Sequence, residues 1–201
     1  MKSSAFEIIK LSLIILIFIS FTTCGGGGKS DNEPLNIYSP STYEWPESPF
    51  TIDPPKASLE LYPSNATVQA GVSFNIDIFV NTCNQNVTSV AAIIKYDPDK
   101  FKANIIDTNE SIFPIENEKD IDFNNGIIKI KRSRYAPGIN TDRGKIASIN
   151  MTALVPTNPN SENIAFIFKA GYIDESKVVI NDGSGTSILA EVKNAKYIVS
   201  Q

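Results

Sequence analysis

The chain has 201 residues, with 22 acidic against 18 basic side chains, a net charge of -4, no histidine and two cysteines. An acidic surface does not seek nucleic acid, and two cysteines build no disulfide framework. Without histidine there is no Ser-His or Cys-His couple and no imidazole ligand for a metal, so the composition turns the reading away from catalysis and towards binding.

At the N-terminus, Lys2 and Lys10 flank an apolar run from Leu11 to Phe21, long enough for the hydrophobic part of a secretory signal and short for a permanent span. The run ends on Phe21-Thr22-Thr23-Cys24, and four glycines, Gly25 to Gly28, come next. This ending resembles a bacterial lipoprotein processing site. It implies a lipoprotein signal peptide over residues 1–23 and a lipidated Cys24 as the first residue of the mature chain. Thr23 and Phe21 depart from the small residue and the Leu usual at those places, and an ordinary cleaved signal or an uncleaved anchor are the other readings. Removing Lys2, Lys10 and Glu7 takes away +1 and leaves the mature chain at -5. The implied location is a bacterial cell envelope, with the lipid as membrane anchor and the chain facing the surface or the periplasm.

Residues 24–56 read as a linker. They have no periodicity and carry Pro34, Pro40, Pro46, Pro49, Pro54 and Pro55 among Ser, Asn and Asp. In polyproline-like form, at about 3.1 Å per residue, the stretch reaches up to ~100 Å and holds the next domain clear of a lipid surface. Its aromatics, Tyr38, Tyr43, Trp45 and Phe50, either pack on the flank of that domain or stack on a sugar ring.

From residue 57 onward short strand patterns succeed one another. Ala57 to Leu61 opens, and Phe74, Ile76, Ile78 and Val80 alternate with Ser73, Asn75 and Asp77. Cys83 lies in a polar stretch and reads as an inert thiol. Next, Val90, Ala92, Ile94 and Tyr96 alternate with Ser89, Ala91, Ile93 and Lys95, until Asp97-Pro98 stops the strand and Phe101 restarts the chain. Asn125-Gly126 separates Ile121-Asp122-Phe123 from Ile127 to Ile130, a hairpin signal. Ile149, Met151, Ala153 and Val155 form a further apolar set; Ile164, Phe166 and Phe168 another. The Asn181 to Gly185 turn precedes the last pair, Ser187 to Ala190 and Val192 to Val199. Roughly nine strands in residues 57–201 predict an all-β, two-sheet sandwich.

The order of these pieces resembles the cohesin domain. The opening strand, Ala70-Gly71 before Phe74, the Tyr96-Asp97-Pro98 segment, Phe113-Pro114 and the Asp182-Gly183 turn leading to Ile188-Leu189 stand in the order that family shows. The resemblance covers about Ala57 to Val199. It implies a jelly-roll sandwich of the superfamily that includes carbohydrate-binding modules, and a non-catalytic role plausibly linked to polysaccharide binding or degradation. One sheet face would capture a dockerin-like protein module, with calcium entering only through that partner. The implied face is Ser89, Ala91, Ile93 and Lys95 with Lys129 and Lys131. Dockerin binders tend to carry Asn and Asp where Ser89 and Ala91 stand, and neither replacement makes the same charge-assisted bonds. Lys129 and Lys131, with Ser133, would form a basic strip suited to an acidic partner, or a solvated face guarding a sheet edge. Alternation sends Arg132 and Arg134 to the other side.

No catalytic residues and no metal site are expected. Asp97, Asp99, Glu116, Glu118 and Asp120 are read as solvated carboxylates, since nothing in their spacing pairs two as acid and base. Asn181 to Gly185 lacks the closing Glu of a calcium loop and reads as a turn. The other function class is a glycan-binding module that uses exposed aromatics such as Tyr135, Tyr172 or Trp45, with polysaccharide as the partner.

Overall fold

In the computed structural model, which describes residues 56–169 and 174–201, every regular element is a β-strand. These residues all fall in the unit Phe50–Gln201. The expected signal peptide, Cys24, the linker aromatics Tyr38, Tyr43, Trp45 and Phe50, and Tyr172 lie outside the described residues.

Alternating apolar residues place the strands. In chain order they are β1 (Ala57–Tyr62), β2 (Asn65–Gln69), β3 (Ser73–Asn81), β4 (Val87–Lys95), β5 (Phe101–Asp107), β6 (Ile115–Asp122), β7 (Ile127–Ser133), β8 (Gly144–Ala153), β9 (Glu162–Phe166), β10 (Lys177–Ile180), β11 (Leu189–Lys193) and β12 (Ala195–Ser200). A five-stranded sheet runs β11-β1-β3-β8-β5, and a larger sheet runs β2-β12-β9-β4-β7-β6. Strand β10 lies beside β4 in line with β9: β9 meets Ile94 and Lys95, and β10 meets Val87 to Ala91. The all-β sandwich expected from the periodicity is therefore present.

Among the described residues twelve strands stand where the pattern suggested about nine, and each addition hides its period for a physical reason. β2 has only Ala66 and Val68 as its half-buried set. β5 carries a bulge between Ala103 and Ile105, so the period of two is broken: Ala103 and Ile106 are buried while Ile105 points out. β10 has four residues, too few to show alternation.

The inward sets of both sheets fill one core. Leu59 and Leu61 of β1, Ile76, Ile78 and Val80 of β3, and Ile149 and Met151 of β8 meet Ala92 and Ile94 of β4, Ile128 and Ile130 of β7, and Tyr197 and Val199 of β12. Removing that apolar area from water is the main force holding the sheets together.

Two turns position the site. After β4, Tyr96 is buried, and the carbonyl of Asp97 accepts hydrogen bonds from Lys100 and Phe101 N–H at 3.1 and 2.9 Å. The Asp-Pro turn thereby carries the chain from the larger sheet to the five-stranded one. The β6–β7 connection spans Phe123 to Gly126, longer than the expected two-residue turn, because the Asp122 carboxylate accepts from the N–H groups of Asn124 and Asn125 and closes a wider loop. Phe123, expected in the strand, sits exposed in that loop. Val155 and Phe168 likewise lie beyond β8 and β9 and are exposed.

Candidate functional site

Register settles which side chains share a face. Ser89 faces Ser133, Ala91 faces Lys131 and Ile93 faces Lys129 across the β4–β7 ladder, while Lys95 faces Ile127. On the other flank of β4, Lys177 faces Ala91 and Val179 faces Ser89. Beyond β7, Glu118 faces Lys131 and Asp120 faces Lys129. Directly opposed residues point the same way, so Ser89, Ala91, Ile93, Lys95, Lys129 and Lys131 do form one outward face, flanked by β10 and β6.

The chemistry of that face differs from a basic strip. Lys129 Nζ lies 3.0 Å from Asp174 Oδ2, and Lys131 Nζ lies 2.6 Å from Glu118 Oε2 and 3.8 Å from Asp174 Oδ1. The hydrogen bond from Lys129, joined by the charges of Lys129 and Lys131, holds the Asp174 carboxyl below its ordinary range, and the same bond raises Lys129. The lysines are already matched by this chain's own carboxylates, and an acidic partner would have to displace them. The alternative expectation, a guarded sheet edge, is also set aside, because β7 is interior to its sheet, between β4 and β6. Lys95 donates to the carbonyl of Asn125 and pins the β6–β7 loop.

Ile93 is outward in register yet only 1% exposed. Its N–H donates to Ser176 Oγ at 3.0 Å, and its carbonyl accepts from Ser176 Oγ at 3.2 Å and from Ile167 N–H at 2.7 Å. The two ends of the β9–β10 connection are thus tied to the C-terminal part of β4, and Ile93 is not accessible to a partner.

Arg132 and Arg134 point the other way, as alternation requires, and serve structure. Arg132 Nε donates to the Phe113 carbonyl at 2.7 Å and its Nη1 lies 3.1 Å from Glu116 Oε2, while Arg134 Nη1 donates to the Ile112 carbonyl at 3.1 Å. They hold the Ile112-Phe113-Pro114 loop, in which Phe113 is fully buried in the core.

Between β10 and β7 the small side chains of Ser89 and Ala91 leave a groove of about 370 Å³, with Asn117, Lys131, Glu175, Lys177 and Val179 on its walls. Asn117, Asp174 and Glu175 were not among the residues the sequence singled out, and Glu118 was read only as a solvated carboxylate. Nothing local marks them; only the pairing of β6 and β10 around β4 and β7 brings them to this face.

Among the described residues the glycan-binding alternative finds no row of aromatics, and Tyr172 and Trp45 lie outside them. Tyr135 is 83% exposed, but Tyr62, Phe123 and Phe168, the other exposed aromatics among the described residues, lie on separate elements and make no row. Arg143 stacks on Phe79 at 3.8 Å and on Tyr62 at 4.9 Å. Among the described residues no group of three or more Asp, Glu, Cys or His side chains could hold a metal ion. Asp182 Oδ1 accepts from the N–H groups of Ser184 and Gly185 at 2.9 and 3.0 Å, which makes the Gly183 loop a turn.

The model of the cohesin domain family matches residues 60–187. No curated protein matches the chain. Among solved structures, the cohesin CaCohA2 of Clostridium acetobutylicum is 14% identical, covering 73% of this chain and 92% of that one, with a TM-score of 0.55. The Coh-OlpC cohesin of Clostridium thermocellum, solved in a type I cohesin–dockerin complex, is 14% identical over 72% of this chain and 94% of its own, with a TM-score of 0.57. A non-cellulosomal cohesin from the archaeon Archaeoglobus fulgidus is 15% identical over 73% and 92%, with a TM-score of 0.52. At this level of identity the likeness shows the fold.

Proposed function

Because the chain belongs to the cohesin domain family, we propose that it is a binding module which holds a dockerin-like protein partner on the outward face of β10, β4, β7 and β6. The observation that carries this reading is the family match over residues 60–187, joined to a sheet face that presents an open groove. Two solved relatives by fold, from Clostridium thermocellum and Acetivibrio cellulolyticus, were crystallised with dockerins. The role is non-catalytic, and the partner is the part that carries any link to polysaccharide binding or degradation.

The test immobilises the full chain and offers it a panel of dockerin modules with calcium and with chelator. Calcium-dependent retention that is lost in Ala91→Arg, which fills the groove floor with a long cation, supports the reading. Retention that is indifferent to Ala91→Arg removes this face, and a panel with no retained member in either condition removes the reading.

The module is tethered to a bacterial envelope through lipid on Cys24, and the linker 24–56 holds it off the membrane. The support is Phe21-Thr22-Thr23-Cys24 after an apolar run and before four glycines. Labelled palmitate incorporated by cells into the native chain and not into Cys24→Ser is the expected result; equal labelling of both ends the proposal.

A further inference from the structure

A second opening lies where the two sheets end. β5 is the last strand of the five-stranded sheet and β6 the last of the larger one, and a cleft of about 360 Å³ runs between them. It shares no residue with the groove over Ser89 and Ala91. The bulge between Ala103 and Ile105 turns Ile105 out of the core to 61% exposure, and the loop after β6 leaves Phe123 54% exposed on the same cleft. Ile106 and Ile121, packed on the core, lie beneath them. A second bulge, between Glu116 and Glu118, interrupts β6. With both edges interrupted, an added peptide strand has no regular ladder to join, so the cleft is not shaped for a strand of a protein partner.

The polar groups of the cleft are acceptors held in place. Asn104 Nδ2 donates to Asn150 Oδ1 and to Thr152 Oγ1, each at 2.8 Å, and Asn150 Nδ2 donates in turn to Asn75 Oδ1 at 2.8 Å. Both amide hydrogens of Asn104 are thereby spent towards β8, which leaves its Oδ1 as an acceptor on the cleft side. Across the cleft Asp120 stands opposite Lys129, but Lys129 is held by Asp174 at 3.0 Å, and the Asp120 carboxylate keeps its acceptor capacity. Lys119, the cation of this lining, lies 3.2 Å from Glu116. One carboxylate and one cation in the lining give neither an acid nor a base the advantage. Acceptors of fixed direction beside an aromatic ring and an aliphatic side chain match a ligand with hydroxyl donors on its rim and C–H groups on its faces. A pyranose has that arrangement.

We infer that the cleft between β5 and β6 binds one sugar unit of a neutral polysaccharide. Phe123 and Ile105 lie against the faces of the sugar ring, and Asn104 Oδ1 and the Asp120 carboxylate accept hydrogen bonds from its hydroxyls. One ring with two acceptors serves one sugar, so no row of aromatics is required. The site stands apart from the partner-holding role proposed above, and through it the hold on polysaccharide does not pass through the partner alone.

The test titrates the isotopically labelled full chain with cellohexaose, xylohexaose, mannohexaose and laminarihexaose, tracking resonances by NMR. Trigalacturonic acid and Nα-acetyl-lysine methylamide serve as acidic and basic controls. The expected result is saturable shifts at Asn104, Ile105, Asp120 and Phe123 with at least one neutral sugar, and none there with either control. Phe123→Ala, at an exposed loop position, is expected to weaken that binding about tenfold with unchanged thermal unfolding. Asp120→Asn keeps an acceptor oxygen without the charge and is expected to hold binding within about threefold, whereas Asp120→Ala is expected to lose about tenfold. No shift with any of the neutral sugars, shifts outside the cleft, or sugar binding unaltered by Phe123→Ala overturns the inference. Binding of the lysine probe at the cleft without sugar binding makes a basic peptide the occupant and overturns it as well. A dockerin captured equally by the native chain and by Phe123→Ala is expected. Failure of the sugars leaves the cohesin-type reading standing, and a dockerin panel with no retained member leaves this site standing.

Discussion

Among single residues, Gly126 shows how one backbone position holds two segments in place. It has φ +60, and its carbonyl accepts the N–H of Tyr96 at 2.9 Å. A Cβ there would stand 2.3 Å from the Tyr96 carbonyl oxygen and 2.9 Å from Pro98 Cδ, so the residue that ends the hairpin also seats the Tyr96-Asp97-Pro98 turn. Gly183 has φ +73 with nothing within 4 Å. Gly126→Ala is therefore expected to cost about 3 kcal/mol in urea unfolding, strain and clash together, against about 1 kcal/mol for Gly183→Ala, which meets only the conformational term. Equal losses would remove the close approach as the cause. The Asn-Gly pair was legible as a turn from sequence. Its contact with Tyr96, some thirty positions earlier in the chain, was not, since no local pattern records which strand end a loop will meet.

Among the elements, β6 accounts for most of the site chemistry that local pattern does not reveal. Glu116, Glu118 and Asp120 look like solvated carboxylates along the chain, and they are the outer rail of a sheet. Glu116 holds Arg132, Glu118 holds Lys131, and Asp120 stands opposite Lys129. The basic residues of β7 are thus matched across the ladder before any partner arrives, and Asp174 adds a match from the other side of β4. Asp174 gives this arrangement a pH signature. Its folded pKa lies below the ordinary value of 3.8, so the stabilisation is present above that value and is lost as pH falls through the folded pKa, below about pH 4. Both groups are partly exposed, which keeps the contribution small. In Lys129→Gln the Asp174 midpoint, tracked by NMR titration, is expected to move up towards 3.8, because the largest cause of its depression is gone. An unmoved midpoint would assign the depression to some other neighbour.

Across the sandwich, the two sheets are joined by rings as well as by aliphatic packing. Phe74 of β3 and Phe101 of β5 meet Tyr197 of β12 at centroid distances of 4.8 and 6.3 Å, and the two Phe rings lie 6.0 Å apart edge-on. Tyr197 is fully buried, and its hydroxyl donates to the Pro63 carbonyl at 3.2 Å. Burial pushes its pKa up to about 12, so the neutral phenol belongs to the folded state. This contact between the β1–β2 turn and the last strand closes the sandwich around a core drawn from both sheets.

Local properties of the chain were enough to establish the class of fold, the inward faces of β3, β4, β7 and β8, the stop at Asp97-Pro98 and the absence of a histidine-based site, because strand period, proline and composition are all read without knowing the neighbours. They also established that Ser89, Ala91, Ile93 and Lys95 share a side, since side chains in a strand alternate. Tertiary packing was needed to bring β10 and β6 beside that face, to set Asp174 and Glu118 against the two lysines, to cover Ile93 and to leave a groove over Ser89 and Ala91. Those outcomes depend on register between strands far apart in the chain, and register is set by the packing of the whole core.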